Sequence, residues 1–282
     1  MSLVINNNIA SLIAQKNLRF NTTNLTNSIE KLSSGYRINK ASDDAAGLSI
    51  SESLRSQMRG NNQATGNIQD GVNLLQIAEG GLSVVTENIQ RMRELCIQAA
   101  NGTNGSTERS AIILEINARI LDIDRIAKST KFNNVFVLDG SITNNGKIQC
   151  GANSTVSTNT IDLAPALVKC TTSFIGITLS DTGATWTADN VRTYLNRLDT
   201  ALNTIMTNRS KIGAYQNRLE STLKSLTIIN ENVTGAESRI RDLDLAKETA
   251  NMTKYQILQQ ASANVLSQAN QLPQLAMSLL RS

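Results

Sequence analysis

From Ser42 to about Ala100 the sequence holds one helical pattern with no proline in it. If continuous, that run of about 57 residues is roughly 85 Å long at ~1.5 Å per residue. A globule of 282 residues has no room for such a rod, so the sequence predicts an elongated, mainly α molecule. Composition agrees: aromatics are only 3% of the chain and proline occurs twice, which suits long helices packed side by side.

The other elements follow from periodicity and punctuation. Leu18, Leu25 and Leu32 fall seven apart with Ile29 between the last two, and Ile5, Ile9 and Leu12 extend the stripe toward the start. Gly35 in "SSGYRINKASDD" is the expected stop. Ser42 reads as the next N-cap, with Asp43 and Asp44 in the first turn, where the helix dipole favours negative charge. "NGTNG" at 101–105 reads as a turn whose glycines supply positive φ. A helix then spans about Thr107 to Lys128, with Ile113, Ile116, Ile120, Ile123 and Ala127 as its apolar stripe. In "FNNVFVLDGSITNNGKIQC" short apolar runs are broken by Asp-Gly and Asn-Asn-Gly, which is hairpin chemistry, and residues 131–180 read as a small β region. Trp186 precedes a helix beginning near Thr187, with Asp189 in its first turn, and helix continues with breaks to the end.

The last of these helices has an unusual surface. Between Lys254 and Arg281 there is no charged side chain, yet Gln, Asn and Ser recur throughout. Amides are costly in hydrocarbon without partners, which argues against a membrane span, and a helix facing water normally carries Lys, Glu and Arg. The remaining surrounding is other protein. Leu258, Val265, Leu272 and Leu279 are seven apart, with Ala261 and Leu275 at the partner positions. Both ends of the chain thus carry seams of similar length, and the economical solution is an antiparallel pair.

Chemistry is restricted. There is no His, which removes the commonest general base and metal ligand. Cys96, Cys150 and Cys170 lack metal-type spacing; free thiols are the simpler reading, with a Cys150–Cys170 bridge open if the chain is extracellular. Asp43 with Asp44, and Asp242, Asp244 and Glu248, read as capping and ionic-face residues rather than metal ligands. No phosphate-binding loop is present, and the net charge of +4 does not call for nucleic acid. The expectation is no enzyme, no cofactor, no metal site, no nucleic acid and no membrane partner. The start of the sequence lacks the pattern of a secretory signal peptide.

Four separate stretches, "KLSSGYRINKASDDAAGLSISESLRSQ" (31–57), "NIQRMRELCIQAANGT" (88–103), "IGAYQNRLES" (212–221) and "ANMTKYQILQQASANVLSQANQLPQLAMSLLR" (250–281), resemble bacterial flagellin. The resemblance covers about 1–150 and 188–282. It implies a subunit that polymerises into the flagellar filament for swimming. Residues 1–42 with 242–282 would form a terminal coiled-coil domain in the filament's inner tube. Residues 43–187 with 188–241 would form a helical rod domain in the outer tube, including the β region at about 131–180. The short middle segment implies few or no variable outer domains. A hook–filament junction protein, or another helical filament protein of type III secretion, is the alternative.

The resemblance also implies roles for particular residues and partners. Leu18, Leu25, Ile29, Leu32, Leu258, Ala261, Val265, Leu272, Leu275 and Leu279 would form the assembly seam. Gln90, Arg91, Leu95 and Glu115 match a face that a vertebrate innate immune receptor recognises in flagellins. Expected partners are copies of the chain itself, other flagellins, an export chaperone, and cap and hook-junction proteins. Localisation would be the extracellular filament, reached by flagellar type III export without a cleaved signal peptide. Ser and Thr in 153–187 are candidates for O-glycosylation. Because the terminal helices bury little apolar surface as an isolated pair, both ends are expected to order on assembly.

Overall fold

The computed structural model describes residues 8–142, 146–178 and 187–281, with the side chains of all but 188 and 272–281. Trp186 and Ile5 lie outside the described residues, as do the side chains of Leu272, Leu275 and Leu279. Among the described residues the elements run α1 (Ile9–Ser34), α2 (Ala45–Ala100), α3 (Ser106–Ser129), β1 (Lys131–Phe132), β2 (Val135–Phe136), β3 (Lys147–Gln149), α4 (Val156–Asn159), β4 (Thr160–Asp162), α5 (Thr172–Ile175), α6 (Ala188–Arg241) and α7 (Leu245–Arg281). The fold is mainly α, with paired antiparallel terminal helices and a small β region midway, as the sequence predicts. The chain divides into two compact units: Met1–Ser56 with Asn232–Ser282, and Gln57–Glu231.

The first unit is organised by α1 and α7. Asn8 caps α1 by accepting from Ser11 N at 3.0 Å. Gly35 ends it in the left-handed conformation at φ 74°, which a side chain would disfavour. The cap of α2 differs from expectation. The helix starts at Ala45, and Asp44, not Ser42, accepts the capping bond from Gly47 N at 2.8 Å. Asp43 instead folds its carboxylate back onto the amides of Lys40 and Asn39, at 3.0 and 3.1 Å, which holds its pKa below the usual carboxylate range. Asp244 likewise caps α7, accepting from Lys247 N at 3.1 Å. The break between α6 and α7 is clasped to the end of α1: Leu243 N donates to Gly35 O and Arg37 N to Arg241 O. The Arg241 guanidinium stacks 4.5 Å from the Tyr36 ring and pairs with Glu52 at 3.1 Å.

The second unit is a three-helix core with the β region laid along it. On α2 the buried positions Ala64, Ile68, Gly71, Leu75, Ala78, Leu82, Val85, Ile89, Met92, Cys96 and Ala99 alternate spacings of four and three. On α6 Val191, Tyr194, Leu198, Ala201, Ile205, Asn208 and Ile212 do the same. These helices run antiparallel: Arg93 pairs with Asp199 at 2.8 Å, and Gln216 donates to Glu79 at 3.3 Å. α3 buries Ile112, Ile116, Ile120, Ile123 and Ala127. Ile112 joins this stripe, and the expected Ile113 is half-buried and packs against the same core.

The observed hairpin turn is not one of those expected: Asp139-Gly140 follows β2 without joining two paired strands, and Asn144 and Asn145 lie outside the described residues. β1 and β2 pair antiparallel around Asn133 and Asn134, whose φ angles of 42° and 66° give the two-residue hairpin its primed turn. The turn at 101–105 needs no such strain: Gly35, Gly140 and Gly176 are the described glycines with positive φ, and Gly102 and Gly105 are not among them. β3 and β4 pair from Lys147↔Asp162 to Gln149↔Thr160. Two glycines of α2 let this region approach the helix. A Cβ at Gly60 would lie 2.6 Å from that of Ala152, and one at Gly81 would lie 2.7 Å from Leu138 Cδ1. Asp124 of α3 anchors α5 by accepting from both the amide and the hydroxyl of Thr172, each at 2.8 Å.

Candidate functional site

The α1–α7 pair is bonded largely by amides and hydroxyls. Asn8 Nδ2 donates to Ala269 O at 2.7 Å, and Ser11 Oγ to Asn270 Oδ1 at 2.7 Å. The buried Asn21 donates to Ser262 Oγ at 2.9 Å and to Leu258 O at 3.4 Å, while Gln259 donates to Thr22 Oγ1 at 3.1 Å. Gln259, Ser262 and Asn270 of the charge-free stretch therefore serve as cross-helix donors or acceptors. Such bonds contribute little net stability each but fix pairing, because a buried amide left alone is costly.

The seam between the two helices is not where the large apolar residues pointed. On α1 its buried positions are Ala14, Asn21 and Ser28, seven apart, with Leu18, Leu25 and Leu32 half-buried beside them. Ile29 lies off it, 50% exposed. On α7 the covered positions include Asn251, Met252, Tyr255, Gln259, Ser262, Leu266 and Ala269. Leu258, Ala261 and Val265 each precede one of these by a single residue, a step of about 100° around a helix, and all three are exposed, Val265 at 55%. On α7 the described part of the expected row, Leu258, Ala261 and Val265, therefore does not face α1. Ile9, Leu12, Ile13 and Phe20 on α1 and Ile257 on α7 are exposed as well. Sequence reasoning missed the polar seam because a hydropathy pattern ranks Leu above Asn and Ser at every position.

The second group of candidate residues lies on α2 and α3. Arg91 pairs with Glu94 at 3.0 Å and Glu115 at 3.3 Å, and its pKa is raised by these two hydrogen bonds. Gln90 and Arg91 are exposed and Glu115 is half-exposed. Leu95 differs from expectation: it is only 2% exposed and belongs to the core. Four residues beyond Arg91 it lies beside Cys96 on the buried side of α2 rather than on the surface row.

The three cysteines are free and buried. Burial pushes the Cys96 thiol up to about 12 and the Cys170 thiol up to about 11, which makes both poor nucleophiles. Among the described residues there is no group of three or more His, Cys, Asp or Glu that could hold a metal, and no helix long and apolar enough to cross a membrane.

Two family models match the chain. The family model of the bacterial flagellin N-terminal helical region matches residues 5–143, and that of the C-terminal helical region matches residues 195–280. A flagellin of Halalkalibacterium halodurans is 43% identical over 279 residues, covering 99% of this chain and 100% of that one. A flagellin of Bacillus subtilis is 42% identical over 302 residues, covering 98% and 99%. Among solved structures, the crystal structure of Bacillus cereus flagellin is 31% identical, covers 57% of this chain and 88% of that chain, and has a TM-score of 0.47.

Proposed function

Because this chain belongs to the bacterial flagellin family and is a structural subunit of the flagellar filament that serves motility, we propose that its terminal helices form the filament's inner tube through the apolar rows they leave uncovered. In this reading residues 1–42 with 242–282 line the inner tube and residues 43–241 the outer one. The observation that carries it is the division of labour on α1 and α7. Their shared seam is small and polar, while Ile9, Leu12, Ile13, Phe20, Ile257, Leu258 and Val265 stay exposed. A monomeric protein rarely leaves so many large apolar side chains on one pair of helices. Neighbouring copies supply the cover, and burying a Leu or Ile there contributes about 1.5–3 kcal/mol each.

Order on assembly follows from the same feature. The pair alone gains little from its seam of Ala14, Asn21, Ser28 and Ala269, so the ends become fully ordered when copies surround them. The expected subunit contacts are Leu18, Leu25, Ile29, Leu32, Leu258, Ala261, Val265, Leu272, Leu275 and Leu279. Before export, the same uncovered helix suits capture by a chaperone; cap, hook-junction and other flagellin chains are further partners in this reading. Gln90, Arg91 and Glu115, with Leu95 beneath them, form the immune-receptor face. The reading has no enzymatic component.

The test is assembly of purified protein after seeding, followed by electron microscopy and sedimentation. Wild-type chain polymerises. Deletion of residues 258–282 abolishes filaments while the unit 57–231 keeps its helical circular dichroism, and Ala261→Glu hinders assembly by placing a charge in a dry contact. Filaments from the deletion, or wild-type yield from Ala261→Glu, overturn the role given to the terminal helices.

A further inference from the structure

Three Asn-Gly pairs occur in the chain, at 101–102, 104–105 and 145–146. Asn145 lies outside the described residues. The other two pairs share the turn between α2 and α3, and the fold gives them opposite surroundings.

Asn101 and Gly102 are exposed, and among the described residues neither the Asn101 carboxamide nor the Gly102 amide has a hydrogen-bond partner. A Cβ at Gly102 would meet nothing within 4 Å. The carbonyl that joins the two residues is held instead. Asn101 O accepts from Asn104 N at 3.2 Å and from the Arg109 guanidinium at 3.5 Å. Two donors, one of them charged, draw electron density from that peptide group and stabilise negative charge on it, as donors aimed at a developing oxyanion do. Asn104 is half-buried, and its Nδ2 donates to Gln98 O at 2.6 Å. A carboxylate also stands beside Gly105: Glu108 Oε2 lies 2.7 Å from the place of a Cβ on that glycine. Negative charge on the Gly105 amide is opposed there, not helped.

We propose that Asn101 is a site of spontaneous covalent modification, at which the folded turn converts the asparagine to isoaspartate or aspartate. The Gly102 nitrogen gives its proton to solvent base and attacks Asn101 Cγ, which glycine permits because it has no side chain in the way. The N–Cγ bond forms, the Cγ–Nδ2 bond breaks, and Nδ2 leaves as ammonia with a proton from water. A cyclic imide remains, and a second water opens it. Opening at the side-chain carbonyl leaves aspartate. Opening at the main-chain carbonyl leaves isoaspartate, which routes the backbone through the former side chain and lengthens the turn. Either product adds a negative charge just past the C-terminal end of α2, where the helix dipole disfavours it, with Arg109 beside it as counter-charge. The chemistry needs only the folded turn and is independent of the filament reading.

The experiment incubates the full-length protein in mildly alkaline buffer, then digests it and maps the peptides by mass spectrometry that separates the two acid isomers. Asn101 converts faster than Asn104 in the same molecules by about tenfold, which corresponds to roughly 1.4 kcal/mol of barrier. The product at 101 includes isoaspartate. In guanidinium, where the turn is unfolded, the two rates converge. Arg109→Gln slows conversion at Asn101 but not at Asn104. Equal rates in the folded chain overturn the proposal, as does a ratio that survives unfolding. Aspartate without isoaspartate at 101 also overturns it, because direct hydrolysis would then be the route. An Arg109→Gln chain that converts Asn101 at the wild-type rate overturns the part given to the guanidinium.

Discussion

Replacing Asp124 by Asn tests how the loop region is fixed to the helical core. Burial opposes ionisation of this carboxylate, yet the amide and hydroxyl of Thr172 at 2.8 Å and Lys128 at 3.6 Å outweigh it and hold the pKa below the usual range. The Asn amide oxygen can accept the same two bonds but without charge. A bond to a charged group is worth about 1.5–3 kcal/mol and a neutral one about 0.5–1.5, so the exchange removes roughly 1 kcal/mol per bond. The side chain is 30% exposed, and water screens part of this, leaving a net loss of about 1–1.5 kcal/mol. The pH dependence has a definite sign. A depressed carboxylate pKa adds stability that is fully present above the unfolded value of about 3.9 and is lost as pH falls through the folded value. Guanidinium unfolding of full-length monomer, followed by circular dichroism, then shows wild type more stable than Asp124→Asn at neutral pH, with the two converging as the pH is lowered toward about 2. A gap of constant size across that range, or a more stable Asn variant, refutes the reasoning.

Three further outcomes follow from the geometry. Ala269→Glu puts a carboxylate into the α1–α7 seam on a helix with no charged residue between Lys254 and Arg281; an uncompensated buried charge costs about 3–5 kcal/mol, so the critical concentration for filaments rises by at least about 100-fold, measured by sedimentation. Cys96 and Cys170, pushed up to about 12 and about 11, react with a thiol reagent at neutral pH only on unfolding; fast native labelling of either would contradict their burial. Arg91→Ala removes the cation held by Glu94 and Glu115 and lowers signalling in an innate immune receptor reporter assay on monomer; an inert wild type or unchanged signalling counts against that face.

Much of the architecture was legible because it rests on local rules. Gly35 ends its helix in the left-handed conformation and the terminal helices pair antiparallel, both from short-range chemistry and periodicity. The phase of the terminal seam was not legible. A helix with apolar residues on two faces gives no sign of which face meets its own chain and which meets a neighbour, so Leu258 and Val265 were read as the internal seam that Gln259 and Leu266 occupy. Leu95 misled for a related reason: spacing of four from Arg91 suggests a shared face, but at the edge of a buried stripe four residues carry a position inward. Ser42 and Asp44 competed for one cap, and only the backbone decides between adjacent cap-forming residues.

The bonds joining α1 to α7 connect residues 237 to 261 positions apart in the chain. The first helix to be synthesised must therefore wait for the last before it has a mate. Until that loop closes, Asn8, Ser11, Asn21 and Thr22 have no partners on α7, and a chain cut short before α7 leaves them without those bonds.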